Sequence, residues 1–362
     1  MRAGGGERRS GAVGERVRRA VRTLAPGYFA LVMATGIISL GMRLRGFHAL
    51  SAALLVLCAA SWVVLTALTT WRLLAFGVDL ARDFTDARRA FGFFTVVAGT
   101  NVLGVRLGVA GFPAVTAGLL AAAGLLWVAL GYVVPWTSVL SREERPVIRF
   151  ANGTWFIWVV ASQSVAAAAA TIEPTFTTGR RELALCAVVA WSVGACLYLA
   201  VGVMVAMRML WYPLQPDELK PPYWVSMGAL AITVLAAARI VQMADAPMVE
   251  ATRGLIAGAA VVLWAFASWL IPVLVAAGWW RHRTHRVPLR YDPTLWSIVF
   301  PLGMYAVASA YLGDADRLPL VGVVGSVELW VAFAAWLAVG AAMLGHLWRT
   351  VAIGDIKSEE FV

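Results

Sequence analysis

The sequence predicts an all-α integral membrane protein: ten transmembrane helices as five tandem helical hairpins, odd helices inside and even helices outside. Three observations predict it. Of the 362 residues, 61% are hydrophobic and 14% are charged, with mean hydropathy +0.77, whereas a soluble domain carries roughly a quarter charged residues. Apolar runs of about 20 residues, long enough to cross ~30 Å of hydrocarbon as helices, repeat from residue 26 onward. Polar residues collect in every second run and skip the runs between.

The predicted spans are 26–44, 49–72, 91–110, 113–137, 150–172, 183–211, 222–242, 254–280, 293–313 and 327–349. Short connections leave no room for a separate soluble domain. The organisation is then a basic cytoplasmic segment (1–25), a ten-helix domain (26–350) and a short cytoplasmic tail (351–362). Within the first segment, Val13, Val17, Val21 and Leu24 fall near helical spacing among arginines, as in a short basic helix on an anionic membrane surface. The apolar run after it is too long for a signal-peptide core.

Charge sets the orientation. Of the 30 Lys and Arg residues, 22 lie in the N-terminus, at or after the ends of even spans, or in the C-terminus. Cytoplasmic loops carry that excess, so both termini are expected in the cytoplasm, with the protein in the plasma (inner) membrane. The net charge of +10 is thereby a topology signal, and nucleic acid is not an expected partner. Cys58, Cys186 and Cys196 lie in apolar runs without CxxC spacing and read as small buried hydrophobes.

Odd and even spans differ in material. Thirteen of the 17 tryptophans lie in even spans. Odd spans hold the polar and helix-weakening residues, among them Thr35 and Gly36, Thr100 and Asn101, Thr154 and Gln163, Ser226, and Ser297. Lipid-facing surface is uniformly apolar, whereas small and polar residues mark helix contacts or a wet cavity. Both roles stay open for each hydroxyl and amide.

With these boundaries every acidic residue falls in a terminus, a loop or a span end, and no histidine sits mid-span. An acidic selectivity ring and a buried proton relay are therefore not expected. Positive charge does reach the inner set: Arg43, Arg106 and Arg239 lie near the outer ends of the first, third and seventh spans, and no arginine is expected to be buried in an outer span. Either they snorkel to the interface or they ring the extracellular mouth of an anion pathway. No HExxH, Walker loop, CxxC pair or GxSxG with partners is present, so no enzymatic activity, cofactor or metal is expected.

The ninth span places Phe300, Pro301 and Gly303 in the middle of an apolar run. Proline inside a helix removes one backbone hydrogen bond and frees a carbonyl. In hydrocarbon such a carbonyl is tolerated where protein or a water-filled cavity receives it. The sequence thus predicts a break in the ninth helix, facing an interior, with a large ring at the break.

Four segments carry a resemblance. PGYFALVMATGIISLG (26–41), TNVLG (100–104), NGTWFIWVVASQSVA (152–166) and FPLGMYAVAS (300–309) are similar, in order, to the tellurite-resistance/dicarboxylate transporter family. That family is itself similar to the plant slow anion channels and includes fungal malate permeases and sulfite efflux pumps. The resemblance covers residues 26–350. It implies five tandem hairpins around a central pore, a homotrimer with one pore per protomer, and a phenylalanine on the ninth span that plugs the pore, here Phe300 with Pro301 beside it. It implies small anions as cargo, C4-dicarboxylates (malate-like) or sulfite- and tellurite-type oxyanions, with membrane lipids the other partner. A proton-coupled dicarboxylate carrier is the alternative.

Overall fold

A computed structural model describes residues 14–141, 143–244, 246–315 and 318–353. Residues 1–13 of the N-terminal segment, Val13 among them, and residues 354–362 of the tail lie outside the described residues; residues 14–22 form a helix. Ten helices are long and apolar enough to span a membrane, and no strand occurs among the described residues. They are α1 (Pro26–Leu44), α2 (His48–Ala75), α3 (Ala90–Val109), α4 (Pro113–Leu140), α5 (Gly153–Thr175), α6 (Arg180–Trp211), α7 (Pro221–Ile240), α8 (Pro247–Thr284), α9 (Pro293–Ala315) and α10 (Pro319–Thr350).

Local chemistry starts and stops these helices. Proline occupies the first turn of α1, α4, α7, α8, α9 and α10, where its missing N–H costs nothing and its fixed φ suits the helix. Every odd span opens with a 3₁₀ turn before it becomes α-helical. At α5 and α9 that turn is capped by a side chain: Asn152 Oδ1 accepts from the Thr154 N–H at 2.8 Å, and Asp292 Oδ1 accepts from the Thr294 N–H at 2.7 Å. The tight turns after α1 and α3 use Gly46 and Gly111 at positive φ (80° and 95°), which only glycine adopts without strain.

Odd spans are buried and even spans are not. Within the most apolar stretch of each helix, 72–89% of residues are buried in the odd spans and 11–39% in the even ones. Each odd span packs on the even span that follows it. The odd spans also touch one another in a closed cycle, α1 to α3 to α5 to α7 to α9 and back to α1. Outward faces of even spans carry exposed apolar side chains such as Val56, Leu199 and Trp269, as a lipid-facing surface requires.

One hydrogen bond repeats around the cycle. Trp62 Nε1 of α2 donates to Thr100 Oγ1 of α3 (2.9 Å), and Trp127 Nε1 of α4 donates to Ser162 Oγ of α5 (2.9 Å). Trp191 Nε1 of α6 donates to the Thr233 carbonyl of α7 (3.1 Å), and Trp264 Nε1 of α8 donates to Ser309 Oγ of α9 (2.8 Å). Trp336 Nε1 of α10 closes the cycle on Thr35 Oγ1 of α1 (3.0 Å). Each outer helix thus ties itself to the inner helix that comes next in the cycle. An indole N–H inside a bilayer needs such a partner, since no water competes for it.

The structure corrects four sequence expectations. First, α9 is α-helical without interruption from Trp296 to Ala315 with Pro301 inside it. The predicted break is absent, and the proline ring lies against Gly228 of α7, where an added Cβ would come within 2.8 Å of Pro301 Cγ. Second, α8 and α10 begin seven and eight residues earlier than predicted, at Pro247 and Pro319. Glu328, expected at a span end, therefore stands nine residues into α10, ~14 Å along the helix axis, and is half-buried. Third, Gly77–Thr85, expected as loop, is a short helix. It supplies Asp83, whose carboxylate pairs with Arg72 Nη2 at 2.8 Å, both side chains buried. Fourth, outer spans do bury arginine: Arg72 near the end of α2 and Arg208 near the end of α6. Arg208 bonds Glu218 and the Arg149 carbonyl.

Candidate functional site on the bundle axis

The five odd spans enclose a small cavity to which every one of them contributes: Ile37 from α1, Asn101 and Val105 from α3, Ser164 from α5, Ile232 from α7 and Met304 from α9. A space touched by all five members of a closed cycle lies on its axis. Its volume is about 20 Å³, room for about one water.

Phe300 lies four residues before the cavity residue Met304 on α9. Side chains at i−3 and i+4 share a helix face, so Phe300 stacks along α9 with Ser297 below and the cavity residue Met304 above. Flanks of that face are fixed by close contacts. Pro301 meets Gly228 of α7 on one side, and on the other an added Cβ at Gly303 would come within 2.9 Å of Ile37 Cγ2 of α1. Phe300 is 1% exposed and among the largest fully buried side chains.

Arg43, Arg106 and Arg239 occupy the last helical turns of α1, α3 and α7, where a cation complements the helix dipole. Their surroundings differ. Arg43 is exposed beside His48. Arg106 is 3% exposed, with Nε donating to Ser39 Oγ (2.9 Å) and Nη2 to Ser51 Oγ (2.8 Å). The two hydroxyls donate to each other's backbone carbonyls, which turns both oxygens toward the guanidinium. Arg106 Nη1 has no partner. Arg239 is half-buried, with its guanidinium 4.5 Å from the Tyr311 ring centroid and Nη2 3.1 Å from the Tyr311 hydroxyl.

The predicted lining residues separate in the structure. Asn101 touches the axial cavity, and Ser297 shares the Phe300 face. Thr35 and Thr100 are buried with their oxygens accepting from outer-span tryptophans. Gly36 packs against Val102 and Cys58. Gln163 turns toward α6, donating to the Trp191 carbonyl at 3.0 Å over Gly194. Thr154 folds onto its own Asn152 cap, and Ser226 bonds the Tyr223 carbonyl. The sequence reading missed Ser51 and the apolar cavity walls: Ser51 sits in an outer span, and a valine or isoleucine carries no mark that it faces an axis.

A family model describing voltage-dependent anion channels matches residues 23–344. The chain belongs to the voltage-dependent anion channel family. An uncharacterized membrane protein of Mycobacterium tuberculosis is 61% identical over 155 residues, 43% of this chain and 79% of that protein. Two uncharacterized transporters of Methanocaldococcus jannaschii are also similar. One is 22% identical over 87% of this chain and 91% of its own length, the other 23% identical over 54% and 56%. This is therefore a multi-pass integral membrane protein of a channel and transporter family, and the four segments that carry the resemblance lie within the matched range. Among the described residues no His, Cys, Asp and Glu side chains cluster as a metal site.

Proposed function

We propose that this member of the family conducts small anions along the axis of its odd spans and that Phe300 closes the path. The observation that carries the reading is the axial cavity lined by all five odd spans, one helical turn from Phe300. At about 20 Å³ it is too small for a dicarboxylate or an oxyanion, so this conformation is shut, and opening requires the ring to move. Arg43, Arg106 and Arg239 stand at the same end of the parallel odd spans and raise the local anion concentration there. C4-dicarboxylates and sulfite- or tellurite-type oxyanions are the proposed cargo, in the inner membrane with both termini cytoplasmic. The apolar face of the even spans meets lipid and, in a homotrimer, neighbouring copies.

Uptake into proteoliposomes of malate, sulfite, tellurite, nitrate and chloride tests this directly. Flux of one or more of them above protein-free vesicles supports the reading, and no flux of any overturns it. A proton-coupled carrier is the second reading, favoured by Glu328, a carboxyl within a span where carriers keep their proton sites. An imposed pH gradient that drives malate uphill selects it; malate that only equilibrates selects the channel.

A further inference from the structure

We propose that the axial path carries a second closure, an apolar collar of Leu40, Val105, Ala167 and Leu235 on the outer side of the cavity. The proposal rests on the path proposed above and adds a barrier to it. All four side chains line the cavity. On its own helix each stands three or four residues past another cavity residue, Ile37, Asn101, Ser164 and Ile232 in turn. The odd spans run parallel, so that spacing is one turn nearer the end that bears Arg43, Arg106 and Arg239. The four therefore form the cavity's wall on that side. Phe300, four residues before Met304, lies toward the opposite end.

An ordinary packing leucine fills the seam between two helices that touch. Leu40 and Leu235 belong to α1 and α7, which α9 separates in the cycle, and Val105 belongs to α3, which α5 separates from α7. Side chains from helices that are not neighbours reach one cavity across the axis. They meet there with water excluded: Leu40 is 2% exposed, Val105 7%, Ala167 3% and Leu235 3%. None of the four side chains can hydrogen-bond, so an anion between them sheds water and recovers nothing in exchange. Apolar constrictions of this kind hold a path shut by staying dry. Loss of the Phe300 ring leaves the collar in place.

The test measures chloride, sulfite and malate flux in proteoliposomes holding wild type, Phe300→Ala, the Leu40→Ala, Leu235→Ala pair, or all three changes together. With two closures in series, the pair alone should gain little, because Phe300 still shuts the path. Added to Phe300→Ala, the pair should raise flux several-fold above Phe300→Ala alone. Leu235→Asn on the Phe300→Ala background keeps a branched side chain, wets the collar and should also raise flux; it decides the matter if the triple variant does not fold. Folded variants no faster than Phe300→Ala overturn the collar and leave the path and Phe300 standing. A gain from the pair with none from Phe300→Ala supports the collar and makes it the main barrier. No flux of any anion from wild type or any variant overturns the path, and the collar with it.

Discussion

Trp336 Nε1 of α10 donates to Thr35 Oγ1 of α1 at 3.0 Å, joining residues 301 apart in the chain. It is the last of five equivalent indole bonds, and it shuts the cycle of inner helices. Interhelical hydrogen bonds in membranes are worth ~0.6 kcal/mol on average and up to ~1.7. A Thr35→Val, Trp336→Phe double-mutant cycle should give a coupling energy of about 1 kcal/mol in detergent unfolding, with each single variant less stable than wild type. Additive single effects would mean that the bond does not hold the closure.

The contact between Pro301 and Gly228 is steric. An added Cβ would lie 2.8 Å from Pro301 Cγ, closer than carbons pack, and a proline ring cannot swing away. Gly228→Ala should destabilise the fold by about 1–3 kcal/mol, read as a lower thermal midpoint in detergent. An unchanged midpoint would mean that α7 and α9 slide past each other freely.

The Arg72–Asp83 pair fastens the short 77–85 helix to the end of α2. Arg72 and Asp83 side chains are 4% and 6% exposed, 2.8 Å apart. Removing one partner strands the other charge, so Asp83→Ala should cost about 3–5 kcal/mol. The Arg72→Met, Asp83→Leu double variant should recover part of that loss. A single variant as stable as wild type would show that water reaches the arginine.

Arg239 is the arginine best suited to testing attraction, because its partner is a ring and a hydroxyl rather than a buried serine pair. Arg239→Gln should lower anion uptake several-fold at low ionic strength and much less near 1 M salt, where the screening length is ~3 Å. Uptake that falls equally at both salt concentrations would assign the residue to packing.

Much of the architecture was legible because length and polarity are local properties. Ten apolar runs gave ten helices, and the skipped polarity matched the burial of odd over even spans. Boundaries failed at two starts: Pro247 opens α8 in a turn that carries Glu250 and Arg253, whereas Pro319 opens α10 in an apolar, glycine-containing stretch that reads as part of the connection, and that hid the depth of Glu328. The 77–85 helix was too short for a span and too charged for one. At the site, Thr35 and Thr100 showed their polarity in the sequence but not their partners, which stand on other helices. Gln163 faces outward to α6, and Ser51 reaches inward from an outer span to hold Arg106. Such pairings depend on which helices meet, and no local pattern encodes that.

Phe300 carries the central claim. It stands one helical turn from the cavity residue Met304 on α9, and Ala in its place removes the ring without touching the Pro301–Gly228 or Gly303–Ile37 contacts. Anion current or uptake should be measured for wild type and Phe300→Ala, reconstituted side by side at equal protein density. The account predicts flux at least several-fold higher in the variant. Flux equal to or below wild type, from a variant that folds, would contradict it.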